Sequence, residues 1–77
     1  MNVLDQVRSI AADVLHVPVA RIGVESGPES IESWDSVQHL NLVLALESQF
    51  GIEFEPEEID QMKSIGKMAA LVERKQQ

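Results

Sequence analysis

Apolar and polar positions alternate near the start of the chain with the spacing of an amphipathic helix. In VLDQVRSIAADVL, residues 3–15, apolar residues recur every three or four positions, while Asp5, Arg8 and Asp13 fall on the other side. The spacing predicts a first helix over residues 3–15. We expect Pro18 to stop this helix, because proline lacks the amide hydrogen that a continuing helix needs.

The next segment, VARIGVESGPESIES at residues 19–33, has no regular period. Gly23, Gly27 and Pro28 lie among scattered apolar residues, which is typical of a loop. We expect a long ordered loop whose apolar residues Ile22 and Ile31 hold it against the core.

A second helix is predicted from the stretch WDSVQ to Gly51. Asp35 is placed as its N-cap, with Gln38 three residues later completing a capping-box pair, and Ser36 would be the first helical residue. Gly51 suits the position that follows a helix end. The helix is so rich in apolar residues that we expect it to be the most buried of all. The expected core stripe is Val37, Leu40, Val43, Leu44 and Phe50, widened by Leu42 and Leu46.

Two shorter helices complete the predicted fold. Glu55, Pro56 and the acids behind them favour a short helix over about residues 56–62, because proline suits the first helical position and negative charge suits a helix start. Ser64 is expected to cap a last helix in IGKMAALVERK, which Gly66 weakens slightly at its start. The sequence therefore predicts an all-α four-helix bundle in one domain, residues 1–77. Its expected core includes Met62, Ile65, Met68, Ala69 and Val72.

Charges are separated by sign along the chain. The net charge is −7, and every Lys and Arg lies either at Arg21 and before or at Lys63 and after. Such a field repels nucleic acid and favours partners with basic patches. A solubilising surface explains any single acid equally well. The ten acids between the two basic ends are Glu25, Glu29, Glu32, Asp35, Glu47, Glu53, Glu55, Glu57, Glu58 and Asp60.

Composition excludes several classes of site. The chain has no cysteine, so it forms no disulfide or thiolate metal site, and two histidines are a poor ligand set for a metal. The acids of residues 53–60 lack the spacing and the central glycine of a calcium loop. No stretch reads as a secretory signal or spans a bilayer, so we expect a cytoplasmic protein without a membrane interaction.

Ser36 and His39 are the candidates for catalysis. One helical turn separates them, as a nucleophile and its base would be. A nucleophilic serine also needs a third group to orient the base, an oxyanion hole and a site closed to water, which a chain of this size hardly provides. A half-buried or exposed helix residue is the simpler interpretation of His39, and of His16. Trp34 is best explained as an apolar anchor of the loop.

A serine modified by another enzyme fits the pattern better, because a helix start with unbonded N–H groups tolerates a phosphate. The stretch DSVQHLNLVLALESQFGIEF, followed by the acidic EPEEI, resembles the signature of acyl and peptidyl carrier proteins. The resemblance extends over essentially the whole chain. It is greatest to free-standing carriers of specialised acyl, aminoacyl or polyketide pathways.

The resemblance implies a cofactor and partners. Ser36 would carry 4′-phosphopantetheine, transferred from coenzyme A by a phosphopantetheinyl transferase that uses Mg²⁺, and the thiol of the arm would hold acyl or aminoacyl groups as thioesters. Asp35 would cap the helix and lie near the phosphate and metal during transfer, and Val37 would pack beside the prosthetic group. Other partners would be the enzymes that load and unload the thiol, with the carrier itself a monomer and no enzyme.

Departures from the family pattern concern these partners. Asn41 stands where carriers of fatty acid synthesis commonly have Glu, so charge pairing along helix two is reduced. The main rival hypothesis is an unmodified acidic interaction module that binds a protein through Val37, Leu40 and neighbouring apolar residues. Under the carrier hypothesis, the expected partner-binding residues are Leu40, Asn41, Glu47, Glu53, Glu57 and Glu58.

Overall fold

The computed structural model describes residues 2–76 as four α-helices joined by one long and two short connections. Within these residues no strand forms, and the predicted all-α four-helix plan is confirmed. A single turn of 3₁₀ helix, Val19–Arg21, lies in the long loop and was not predicted. The helices are α1 (Val3–Leu15), α2 (Ser36–Phe50), α3 (Pro56–Gln61) and α4 (Ile65–Lys75).

Side-chain caps begin three of the helices. Asn2 accepts a hydrogen bond from the N–H of Asp5 at the start of α1, and Ser64 accepts one from Lys67 at the start of α4. At α2, the carboxylate of Asp35 accepts from the N–H of Gln38, as predicted. Each such cap stabilises a helix by about 1 kcal/mol. These short-range bonds fix where the helices begin.

Two predictions about helix ends need correction. Helix α1 ends at Leu15, as predicted, but it is His16 in the left-handed conformation (φ 59°), and not Pro18, that ends it. The side chain of Gln38 does not complete a capping box, since it accepts from the amide of Asn41, and the N–H of Asp35 donates to Ser33. Gly51 ends α2 in the left-handed conformation (φ 65°), as predicted.

The core lies where α1 packs against α2 and α4. Helix α1 contributes Val7, Ala11 and Leu15, and the loop residues Ile22 and Ile31 are buried as predicted. Met62 and Met68 fill core positions, which is also confirmed. The core residues of α4 are Ile65, Met68, Ala69, Leu71 and Val72.

The predicted core face of α2 was wrong. Leu42, Val43 and Leu46 are the buried residues of this helix. In the predicted stripe, Val43 is buried and Phe50 is partly buried. The other three residues are exposed, because α1 packs against the opposite side of α2. Helix α2 is therefore not the most buried helix but one with two apolar faces. The exposed fractions on its outer face are Val37 66%, Leu40 54% and Leu44 61%.

The long loop is fixed to the helices along its length. Arg8 donates from Nε to the carbonyl of Ile22 (2.7 Å) and from Nη2 to that of Val19 (3.1 Å). Further along, the N–H of Gly66 donates to the carbonyl of Val24 at 2.8 Å. A Cβ on Gly66 would lie 2.7 Å from a methyl group of Val24, so the glycine permits this close approach. These contacts therefore fix the position of the loop that leads to Ser36.

Candidate functional site

The start of α2 presents Ser36 at the surface. Asp35 is extended (φ −100°, ψ −174°) and Ser36 is the first residue with helical geometry. Both residues are exposed. Asp35 satisfies the N–H of Gln38, whereas the N–H groups of the first helical residues have no acceptor within the helix. A negatively charged group on the Ser36 oxygen would lie at the positive end of α2.

The hydroxyl of Ser36 differs from most hydroxyls of the chain in being unbonded. The sequence has neither threonine nor tyrosine, so its seven serines supply every side-chain hydroxyl. Within residues 2–76, Ser36 shares the lack of an intramolecular hydrogen bond with Ser9 and Ser48, which both lie inside helices. The hydroxyls of Ser26, Ser30 and Ser64 are bonded to groups three residues away, and that of Ser33 donates to the carbonyl of Leu15.

A groove of about 540 Å³ lies beside Ser36, between the start of α2, the loop and α3. Its exposed lining includes Ser36 and two residues of opposite charge, Asp60 and Lys63. Its deepest lining is apolar, because Trp34 and Met62 belong to the core. A flexible group attached to Ser36 would therefore meet both polar and apolar walls. The remaining lining residues are Pro28, Asp35, His39, Leu40 and Ile59.

His39 connects three parts of this site. The indole Nε1 of Trp34 donates to its Nδ1 at 3.0 Å, and its Nε2 lies 2.9 Å from the carbonyl oxygen of Ile59. The two rings are stacked with their centroids 6.1 Å apart. Both ring nitrogens are thus engaged away from Ser36, so His39 does not act as its base. Trp34 is buried, as predicted for an anchor, but this bridge from α2 to α3 was not predicted.

The outer face of α2 is apolar and uncharged. Val37, Leu40 and Leu44 form an exposed stripe with Asn41 beside it. The structure brings Val37, Leu40 and Asn41 together with Ser36 on one surface. It adds Leu44 to this surface, and the periodicity had assigned Val37, Leu40 and Leu44 all to the core.

The four acids predicted to contact partners fall into two groups, because two are bonded within the chain and two are exposed. The carboxylate of Glu47 accepts from the N–H of Phe54 at 2.8 Å, and that of Glu58 accepts from the N–H of Glu55 at 2.7 Å and pairs with Lys75 at 2.8 Å. These bonds hold the α2–α3 connection and α3 in place. By contrast, Glu53 and Glu57 are exposed.

Glu58 shows the electrostatic effect of its bonds. The backbone N–H of Glu55, and after it the ammonium group of Lys75, lower the pKa of the Glu58 carboxyl below its ordinary value. Both groups favour the charged form of the carboxyl over its protonated form. Glu58 therefore stabilises α3 in its ionised state.

Among residues 2–76, no group of three or more acidic, histidine or cysteine side chains is placed to hold a metal ion. None of the described helices is both long and apolar enough to cross a bilayer.

Comparisons with known proteins agree with this geometry. The sequence model of the family described as "Phosphopantetheine attachment site" matches residues 5–72. The acyl carrier protein of Thermosynechococcus vestitus is 31% identical over 64 residues, which cover 83% of this chain and 79% of that protein. Acyl carrier protein 3 of Ralstonia nicotianae is 31% identical over 72 residues, covering 94% of this chain and 83% of the relative.

A solved structure is similar over nearly the whole chain. The solution NMR structure of the holo acyl carrier protein from Geobacter metallireducens superposes with a TM-score of 0.86 at 32% identity, covering 97% of this chain and 86% of that one. The similarity therefore includes the three-dimensional arrangement of the helices as well as their order along the chain.

The site fits the cofactor of this family. Phosphopantetheine is attached covalently and its arm supplies a thiol, which this cysteine-free chain otherwise lacks. Attachment needs an accessible hydroxyl with space beside it, and Ser36 has both. The family also implies a phosphopantetheinyl transferase and further enzymes as partners. The chain therefore belongs to the acyl carrier protein family, whose members carry acyl groups on phosphopantetheine and are not themselves enzymes.

Proposed function

We propose that Ser36 is the attachment residue for 4′-phosphopantetheine and that the chain carries acyl or aminoacyl groups as thioesters on that arm. The observation that supports this assignment is the exposed hydroxyl of Ser36, which has no hydrogen bond within residues 2–76 and lies beside a groove at the first position of α2. Ser9 and Ser48 share the unbonded hydroxyl but lie within helices, and neither lines that groove.

Asp35 and Val37 serve the attached group in this proposal. The carboxylate of Asp35 caps α2 through Gln38, which keeps Ser36 in position, and its negative charge is exposed next to the hydroxyl. During transfer that charge lies near the Mg²⁺ bound by the transferase. Val37 is exposed one residue further on and offers an apolar surface to the start of the arm.

The outer face of α2 is the proposed docking surface. Val37, Leu40, Asn41 and Leu44 carry no charge, so a partner covers them with an apolar surface of its own. Glu53 and Glu57 are the first acids we assign to contacts with basic residues around that surface. Glu47 and Glu58 are also predicted to contact partners. Their carboxylates already accept backbone hydrogen bonds within the chain.

The uncharged docking surface also bears on the pathway. Partners that recognise a carrier by charge pairing would find one acid within α2, Glu47, which is half-buried and already bonded to the N–H of Phe54. This favours specialised acyl, aminoacyl or polyketide biosynthesis over standard fatty acid synthesis. A cytoplasmic location, a monomeric state and one domain over residues 1–77 remain predictions of the sequence.

The test is the intact mass of the purified chain before and after incubation with coenzyme A, Mg²⁺ and a broad-specificity phosphopantetheinyl transferase. The wild type should gain one phosphopantetheine and Ser36→Ala should gain none while keeping its helical circular dichroism. Ser48→Ala is the matched control, since Ser48 is an exposed serine about 18 Å further along the same helix.

Two outcomes would contradict the proposal. Modification of Ser36→Ala would place the cofactor on another serine. A folded wild type that gains no mass would favour the alternative, an unmodified acidic module that binds a protein through Val37, Leu40 and Leu44.

A further inference from the structure

The His39 bridge lies between Ser36 and the interior of the protein. The groove beside Ser36 is lined by Trp34, His39 and Ile59, the three residues that the bridge connects. A chain entering from Ser36 to pass between α2 and α3 would have to separate His39 from Ile59. The bridge is therefore placed to control how deeply a cargo can enter.

We propose that this bridge makes His39 a specificity-determining residue, which keeps the cargo in the open groove and selects short or polar acyl groups over long alkyl chains. The inference rests on the proposed attachment at Ser36. His39 acts here as a positioning residue, because it sets the wall of the groove and takes no part in forming the thioester.

The bridge uses His39 in one neutral form. An indole N–H can only donate, so Nδ1 of His39 is the acceptor for Trp34. A neutral imidazole then carries its hydrogen on Nε2, which donates to the carbonyl of Ile59. Both bonds have the length of good hydrogen bonds, and together they join the loop, α2 and α3.

Opening the bridge would leave buried polar groups unbonded. Trp34 is only 2% exposed, so its indole N–H would have little access to water if His39 moved away. A buried donor without an acceptor is strongly disfavoured. Leu42 and Leu46 share the His39 face of α2 and are fully buried, as is Met62 in the lining of the groove. An alkyl chain would thus have to break the bridge before it could pack against these core side chains.

The groove is lined mainly by apolar residues, with charged groups at its exposed edge. Its exposed lining carries a carboxylate from Asp60 and an ammonium group from Lys63, and Ile59 is only partly buried. A short acyl or aminoacyl group attached to the arm can meet these charges without leaving water. A long alkyl chain lying in the same open groove would keep part of its surface in contact with water.

The experiment compares cargo lengths on the same protein. Acetyl-, butyryl- and octanoyl-phosphopantetheine are transferred from the corresponding coenzyme A thioesters, loading is checked by intact mass, and the melting temperature of each form is measured. In the wild type we expect the octanoyl form to melt within about 1 °C of the acetyl form. In His39→Ala we expect it to melt at least about 4 °C higher than the acetyl form, as burial of several methylene groups requires.

Each protein is compared with itself, so a general loss of stability in His39→Ala does not affect the result. Ser48→Ala should behave as the wild type does. His39→Ser also removes both hydrogen bonds of the imidazole and leaves a smaller side chain, and it provides a second opened bridge if His39→Ala does not fold.

A melting temperature that rises with chain length in the wild type would overturn the inference, and this result needs no variant. The absence of any length dependence in a folded, opened variant would overturn it too, because the bridge would then not be the barrier. Failure of Ser36 to accept any arm is a separate result, visible by mass, which would contradict the proposed function first.

Discussion

Asp35 has two roles in the proposed carrier, and substitutions can separate them. Its Oδ1 accepts a hydrogen bond of 2.9 Å from the N–H of Gln38, and its charge lies at the positive end of α2 next to Ser36. Asparagine keeps a capping oxygen but loses the charge, whereas alanine loses both. Asp35→Asn and Asp35→Ala therefore isolate the charge from the cap.

The expected losses of stability follow from these two contributions. The capping hydrogen bond is worth about 1 kcal/mol and the interaction of an exposed carboxylate with the helix dipole about 0.5 kcal/mol. Asp35→Ala should then lower the free energy of unfolding by about 1.5 kcal/mol and Asp35→Asn by about 0.5 kcal/mol. In a domain of this size these losses lower the melting temperature by about 6–12 °C and about 2–4 °C.

Two assays read out the two roles. Thermal unfolding followed by circular dichroism gives the stability of each variant, and the rate of mass gain with coenzyme A and the transferase gives its competence for modification. We expect Asp35→Asn to be nearly as stable as the wild type but modified more slowly. Equal destabilisation by both substitutions would refute the capping argument, and an unchanged rate in Asp35→Asn would refute the role of the charge in transfer.

Three further predictions address the loop, α3 and the docking surface. Gly27→Ala should lower stability by about 1–3 kcal/mol in denaturant unfolding, since its Cβ would overlap the carbonyl oxygen of Lys63, whereas Gly23→Ala, with open space around it, should cost far less. Because the pKa of Glu58 is lowered in the folded state, the stability it contributes is present above about pH 4.3 and is lost as the pH falls through the lower folded value. Glu58→Gln should reduce this acid-dependent loss, and an unchanged pH profile of unfolding would contradict it. Leu44→Ser should unfold like the wild type but raise the KM of the transferase about fivefold, equivalent to about 1 kcal/mol, and an unaltered KM would remove Leu44 from the docking surface.

The starts of the helices could be predicted because each depends on a few neighbouring residues. Asp35 and Ser64 cap α2 and α4 through bonds to residues three positions later, and that spacing is visible in the sequence. The position of Ser36 at a helix start followed from the same signal. The end of α1 depended instead on His16 adopting a left-handed conformation, which only a small minority of residues other than glycine do.

The core face of α2 could not be predicted from the period alone. Val37, Leu40 and Leu44 recur with helical spacing, and so do Leu42, Val43 and Leu46 on the opposite side. Which set becomes buried depends on where α1 packs, and this is a property of the whole fold. The set that stays exposed, Val37, Leu40 and Leu44, forms most of the proposed docking surface.

The bridge through His39 was missed because one of its two partners is distant in sequence. Ile59 lies 20 residues from His39 and is brought near only when α3 packs. One signal was present, since a buried Trp34 needs an acceptor for its N–H and His39 lies about one turn into the helix that follows. A search for that acceptor would have pointed to His39.

The exposed apolar stripe on α2 also has a consequence for how the protein behaves at high concentration. Two copies could bury their stripes against each other, but each copy carries a net charge of −7, so they repel at low ionic strength. At about 1 M salt the screening length falls to about 3 Å and this repulsion vanishes. Colloidal stability thus comes from the acids spread over the rest of the molecule, which leaves the stripe available to a partner whose charge is opposite.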